Sequence, residues 1–270
     1  MQLSITYQTR YRYADPAGRI VQLLRVTPLS FPGQNVLDWR IDVDCDVRLR
    51  EARDGYGNII HMLYIDGPVS ELSIMAKGQV LTEDRAGVVQ SLPADLPPLV
   101  FMRETPLTAA SAGLRELAST LHDRSMAPLD KLHELSRAIH ARMTFDTEST
   151  GATTIGADAF DAAHGVCQDF THIFIIVARL LGIPARYVSG HLFRRDAAPV
   201  QEAAHAWAEA WIDELGWVGF DPTNGISTDD AYVRVACGLD YRDAAPVAGA
   251  RAGGGGETLS VQVQVNEASR

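Results

Sequence analysis

Residues 164–187, HGVCQDFTHIFIIVARLLGIPARY, decide how the chain is read. Ile173, Ile176, Val177, Leu180 and Leu181 recur at helical spacing, and Cys167 stands at the head of that run, just after Gly165. The spacing predicts a buried helix with Cys167 in its first turn, ended by Gly182 and Pro184. A first-turn cysteine faces unpaired N–H groups and the positive end of the helix dipole, which stabilise a thiolate, the nucleophilic form. The competing reading of a lone cysteine is a small buried hydrophobe.

Two later segments favour the chemical reading. AHAWAEAWI, residues 204–212, alternates His205, Trp207, Glu209 and Trp211 with alanines and predicts a strand. WVGFDPT, residues 217–223, is a second short strand ending at Asp221 before a proline. Cys167, His205 and Asp221 are together the inventory for a thiol activated by an imidazole that a carboxylate orients. Trp207 shares the face of His205, as a wall of the site or as an ordinary half-buried sheet aromatic. The hairpin is less accommodating. A three-residue loop Glu214-Leu215-Gly216 would set Glu209 opposite Asp221 and leave His205 about 13 Å along the strand. A triad with Asp221 therefore requires a bulge or a longer turn, and otherwise Glu209 is the better acid.

GVCQDF, GIPARYVSG, HAWAEAWI and GWVGFDPTN, in this order and at these separations, resemble the bacterial transglutaminase-like superfamily, a rearranged relative of the papain-type fold. The resemblance covers roughly residues 105–245, and the first hundred residues resemble the β-rich domain that precedes the core in bacterial members. By position it implies Cys167 as nucleophile, His205 as base and Asp221 as orienting acid. Phe145 departs from the tyrosine of many members and removes a possible hydroxyl donor from the reacting centre.

Upstream, Leu3, Ile5, Tyr7, Tyr11 and Tyr13 share one parity, and Ile41, Val43, Cys45, Val47 and Leu49 alternate with charged residues. With turn signals between the runs, residues 1–100 read as an antiparallel β-sandwich or barrel-like domain with Cys45 in its core. The cluster Pro93, Pro97 and Pro98 marks the boundary to a papain- or transglutaminase-like core over 101–247, giving an α+β chain. Thr108 is the expected cap of a helix carrying Leu114, Leu117 and Leu121, and a second helix is predicted over 128–142. Residues 146–157 read as a loop and 157–163 as a short helix leading to Cys167. Cys237 alternates with Val233, Val235 and Leu239 and reads as core. Residues 248–270 read as a flexible glycine-rich connector and a final strand.

The 270 residues carry 24 basic and 34 acidic side chains, a formal charge of −10, which argues against sequence-independent binding to nucleic acid or to an anionic membrane. Arg179 interrupts the longest apolar run, and the first residues lack the pattern of a secretory signal. Three cysteines do not suggest a disulfide framework, and a cytoplasmic setting is expected. No acidic loop suggests calcium, and Cys167, His164 and His172 match no zinc spacing, so neither metal nor other cofactor is expected. Asp169 is read as structural, and His172, about 140° around the helix from Cys167, as a core histidine. The expected partner is a peptide or protein amide, attacked by Cys167 to give an acyl-enzyme. Hydrolysis is favoured over transfer to an amine, and a catalytically silent binding module on the same fold is the third reading.

Overall fold

The computed structural model describes residues 1–89, 96–122, 125–195 and 201–268. Pro93 and part of the polar stretch before His205 lie outside them. The N-terminal region is built on two long antiparallel strands, β1 (Gln2–Thr27) and β4 (Ile59–Thr82), paired along most of their length. β2 (Gln34–Val43) and β3 (Arg48–Arg53) pair successive halves of β4. The alternation over residues 41–49 is kept through the bend between them: the apolar members are half-buried and the charged ones exposed. Cys45 lies in that bend, half-buried against the sheet's core and outside the fully buried set.

The glycine-rich C-terminal stretch is not a flexible connector. Val247–Gly253 forms β13 and Glu257–Glu267 forms β14, and they pair with the two halves of β1, joined by a turn of left-handed glycines at Gly253, Gly254 and Gly255. Alternate apolar side chains at Val261, Val263 and Val265 settle the matter, because they join the cluster formed by Leu3, Ile5 and Tyr7. The N-terminal domain is therefore completed by the last strands of the chain.

Between these parts lies the second unit. Its helices are α1 (Ala112–His122), α2 (Pro128–Arg142), α3 (Gly156–Ala162), α4 (Cys167–Leu180) and α5 (Tyr241–Ala244). α1 starts later than expected. Thr108 instead ends a short turn capped by Thr105, and its hydroxyl receives the Arg179 guanidinium at 3.1 Å. α4 is buried on all sides from Gln168 to Arg179, the mark of a central helix. Arg179 is tolerated there because Phe101, Ala185 and Leu239 carbonyls accept its N–H groups.

The sheet beside α4 runs β11 (Ile226–Ser227), β10 (Gly216–Asp221), β9 (His205–Ile212), β8 (Ala185–Leu192) and β12 (Tyr232–Gly238). The short β5 (Val88–Val89), from the N-terminal region, pairs β10. A small parallel pair, β6 (Thr144–Phe145) and β7 (His164–Gly165), stands before α4. Ala206, Ala208 and Ala210 lie in one cluster with the apolar side chains of α4, so the alanine face lets helix and sheet approach closely.

The β9–β10 turn corrects the simple hairpin. Ile212 pairs Gly216 across three residues, with both Glu214 and Gly216 left-handed, and Glu209 falls opposite Gly219. The register is two residues from the one that glycine alone would set, and Asp221 is brought level with the start of β9. Glu209 is thereby withdrawn from the acid role. Its fully buried carboxylate accepts from Arg186 at 2.6 Å and Arg234 at 3.0 Å, which hold its pKa low against the opposing effect of burial. Arg186 also lies over the Trp217 ring at 4.0 Å. Glu209→Ala takes the shared carboxylate from two buried guanidinium groups, and the expected loss is about 3–5 kcal/mol in urea unfolding followed by tryptophan fluorescence. A loss below about 1 kcal/mol would mean that water reaches this trio.

Candidate active site

Cys167 is the first residue of α4, and its side chain is half-exposed where the helix start meets the surface. The geometry there depends on Asp169, whose Oδ2 accepts from the Val166 N–H at 2.8 Å and the Thr150 hydroxyl at 2.6 Å. The carboxylate folds back over Gly165, where a Cβ would stand 2.6 Å from Oδ2, so glycine is required at that position. Asp169 therefore fixes the helix start. Burial raises its pKa despite these hydrogen bonds, which weakens the anion that would oppose a thiolate. The N–H groups of Cys167 and Gln168, at the first two helical positions, have no carbonyl one turn back within the helix.

His205 opens β9 at the same end of the sheet, with its side chain 11% exposed. Nε2 donates to Asp221 Oδ2 at 2.7 Å, and the Cys167 side chain lies close enough to act electrostatically on the imidazole. Asp221 is 0% exposed and fully engaged. Oδ2 also accepts from the Tyr232 hydroxyl at 2.7 Å and Asn224 Nδ2 at 2.7 Å, while Oδ1 accepts from the backbone N–H groups of Thr223 and Asn224. Burial alone would depress the His205 pKa. The Asp221 charge and hydrogen bond, with the contact to Cys167, outweigh it and push it up to about 10. Burial conversely favours neutral Asp221, but His205 and the other donors hold its pKa below the usual carboxylate range. The site is built to keep an imidazolium between a carboxylate and a sulfur.

The structure brings together the three residues expected to act and separates them from their neighbours. Trp207 is 2% exposed and stacks beside the imidazole with 6.3 Å between ring centroids, where it screens the pair from water. His172 is buried in the core, where Nε2 accepts from the Tyr241 N–H at 3.1 Å; burial lowers its pKa to about 3, keeping it neutral. Phe145 pairs with Gly165 two residues before Cys167 and is 55% exposed, near the thiol but without a hydroxyl. Among the described residues, no group of three His, Cys, Asp or Glu side chains is placed to hold a metal. Sequence reasoning missed Asn224 and Tyr232. The Asp-Pro-Thr-Asn run could have signalled the first, since Asp commonly binds backbone N–H groups two and three residues ahead; nothing local signals the second.

Residues 115–222 match a family described as the transglutaminase-like superfamily, and residues 3–81 match the bacterial transglutaminase-like N-terminal region. An uncharacterised protein of Mycobacterium leprae is 29% identical over 98% of both chains. Another, from Mycobacterium tuberculosis, is 30% identical over 91% of this chain and 86% of its own. A protein-glutamine gamma-glutamyltransferase of Pseudomonas aeruginosa is 33% identical over 104 residues, 36% of this chain and 15% of that enzyme. The crystal structure of a candidate cysteine protease from Cytophaga hutchinsonii superposes with a TM-score of 0.81, covering all of this chain and 91% of its own at 23% identity, which shows a shared fold.

The imidazolium makes a definite contribution to stability. Its pKa is raised on folding, so the stabilisation is complete below the ordinary histidine value of about 6.5 and is lost as pH rises through about 10. Asp221→Asn removes the charge responsible, leaving burial to act. The His205 ring protons should then titrate about 1–3 units lower by NMR, and the alkaline loss of stability should flatten. An unchanged titration would mean that Asp221 does not set the imidazole's charge.

Proposed function

The chain belongs to the transglutaminase-like superfamily, and from that premise we propose that it is a thiol-dependent acyl-transfer enzyme acting on amide or peptide bonds. The observation that carries the reading is the hydrogen bond from His205 to Asp221 with Cys167 beside the same imidazole, at a helix start and not fully buried. The Cys167 thiolate adds to the carbonyl carbon of the amide, and the oxygen takes up the negative charge beside the N–H groups of Cys167 and Gln168. His205, as imidazolium, gives its proton to the departing nitrogen; the C–N bond breaks, an amine leaves and a thioester remains. Neutral His205 then takes a proton from the incoming nucleophile, which replaces sulfur at the acyl carbon.

Water at the second step makes a peptidase or amidase, and an amine makes a transglutaminase. We favour water, because transfer to an amine needs a second substrate site and no residue of the sequence identifies one. The likeness to the Pseudomonas aeruginosa protein-glutamine gamma-glutamyltransferase over about a third of this chain supports amine transfer as the second reading. Three free cysteines fit a reducing, cytoplasmic setting.

With limiting iodoacetamide at pH 6, Cys167 should alkylate well ahead of Cys45 and Cys237, and His205→Ala should slow it about 100-fold. Equal rates at all three cysteines would leave a silent binding module as the better description. Incubation with glutamine peptides should release ammonia without an added amine. Release that rises on adding a primary amine, with a mixed amide as product, would move the assignment to transfer.

A further inference from the structure

β12 is the outer strand of the core sheet and is bonded within it to β8 alone. Its other edge is buried, so its N–H and C=O groups need partners from elsewhere. Two side-chain amides of the N-terminal domain supply them as a neighbouring strand would. Gln34, on β2, donates from Nε2 to the Arg234 carbonyl at 2.8 Å and accepts the Arg234 N–H on Oε1 at 2.8 Å. Asn58, just before β4, donates from Nδ2 to the Cys237 carbonyl at 2.8 Å and accepts the Cys237 N–H on Oδ1 at 2.9 Å. The two side chains are 3% and 1% exposed.

Residues 234 and 237 of a regular strand would face opposite edges. A β-bulge between Arg234 and Ala236 inserts one residue and turns both outward. Bulge and amides are thus matched. Each amide is also held from its own side: Gln34 Nε2 donates to the Leu29 carbonyl at 2.8 Å, and Asn58 Nδ2 donates to Asp54 Oδ2 at 2.9 Å. The Thr82 hydroxyl donates to the Asp230 carbonyl, two residues before β12 begins.

The first residue of β12 is Tyr232. Its hydroxyl meets the same Asp221 oxygen as His205, and its ring stands edge-on to Trp207 at 5.4 Å and 6.0 Å from the imidazole. Burial and the Asp221 charge raise its pKa, so it remains a donor. The Gln34 contact lies two residues farther along the strand, roughly 7 Å away. We propose that Tyr232 is a positioning residue that aims Asp221 at His205, and that the N-terminal domain acts on the site by pinning its strand through Gln34. The inference rests on the thiol–imidazole reading given above.

A purely electrostatic role makes the opposite prediction. Removing a donor from Asp221 concentrates the carboxylate's charge and should raise the His205 pKa, whereas loss of aim weakens the contact and lets burial lower it. The experiment follows the His205 ring by NMR titration, with Cys167 alkylation at pH 6 measured separately, in the full chain and in Tyr232→Phe and Gln34→Leu. Both variants should move the His205 titration down by about one unit and slow Cys167 alkylation, with Cys45 unaffected. An upward or absent shift in Tyr232→Phe overturns the positioning role. A downward shift there with none in folded Gln34→Leu overturns the link to the N-terminal domain. Tyr232→Phe keeps the ring and its packing, so the positioning claim stays testable even if Gln34→Leu does not fold. A wild type without fast alkylation of Cys167 overturns the thiol–imidazole reading, and this inference with it, whereas fast wild-type alkylation without the shifts overturns the inference alone.

Discussion

A carboxylate with no exposed surface is tolerated only where its charge and lone pairs are met by donors, and Asp221 is the point at which that requirement shapes the molecule. Each donor comes with a structural condition. The two backbone N–H groups require the Asp-Pro-Thr-Asn turn, and His205 requires the shifted β9–β10 register. Tyr232 requires that β12 be fixed across β8 from β9. The conditions reinforce one another, because a slip in any of these elements would leave a buried anion short of partners.

Glu209 shows what the same sheet does with a carboxylate that has no chemical task. It lies four residues along β9 from His205, equally buried, but its partners are two guanidinium groups that keep their protons throughout the accessible pH range. The carboxylate is held by fixed charges and nothing can be passed on. Asp221 faces an imidazole, whose proton can leave, and on the far side of the imidazole lies Cys167, which is not fully buried. The two carboxylates differ in the titratability of their partners far more than in burial.

Much of this was legible in sequence where the governing interactions are local. Helix α4 and the place of Cys167 at its start follow from apolar spacing and from the Gly-Ile-Pro stop, and the alanine face of β9 follows from strict alternation. Sequence leaves the β9–β10 register open between Glu209 and Asp221, because the turn puts a non-glycine residue, Glu214, in the left-handed region as well as Gly216, and residue type gives no notice of that. The glycine-rich run at 248–256 looked flexible by composition, yet it pairs with β1, a partner more than two hundred residues distant. Tyr232 and Gln34 were invisible for the same reason: each matters only through a strand or carboxylate far away in the chain. The exposure of Phe145 beside β7 is a matter of tertiary placement alone.

That long-range dependence makes the N-terminal domain and the core a single undertaking. β1 is flanked by β13 and β14, so the sheet that presents Gln34 lacks two of its strands until the segment bearing Cys167, His205 and Asp221 has been passed. The core sheet in turn has one strand, β5, and the partners for the outer edge of β12 only if the N-terminal part is in place. Neither unit can satisfy its buried backbone groups alone, and non-local pairings of this kind carry a large loop-closure cost before they stabilise anything. The fold therefore joins the surroundings of Asp221 to the N-terminal sheet: the outer edge of the strand that carries Tyr232 finds its partners only when β2 and β4 are in place beside the core.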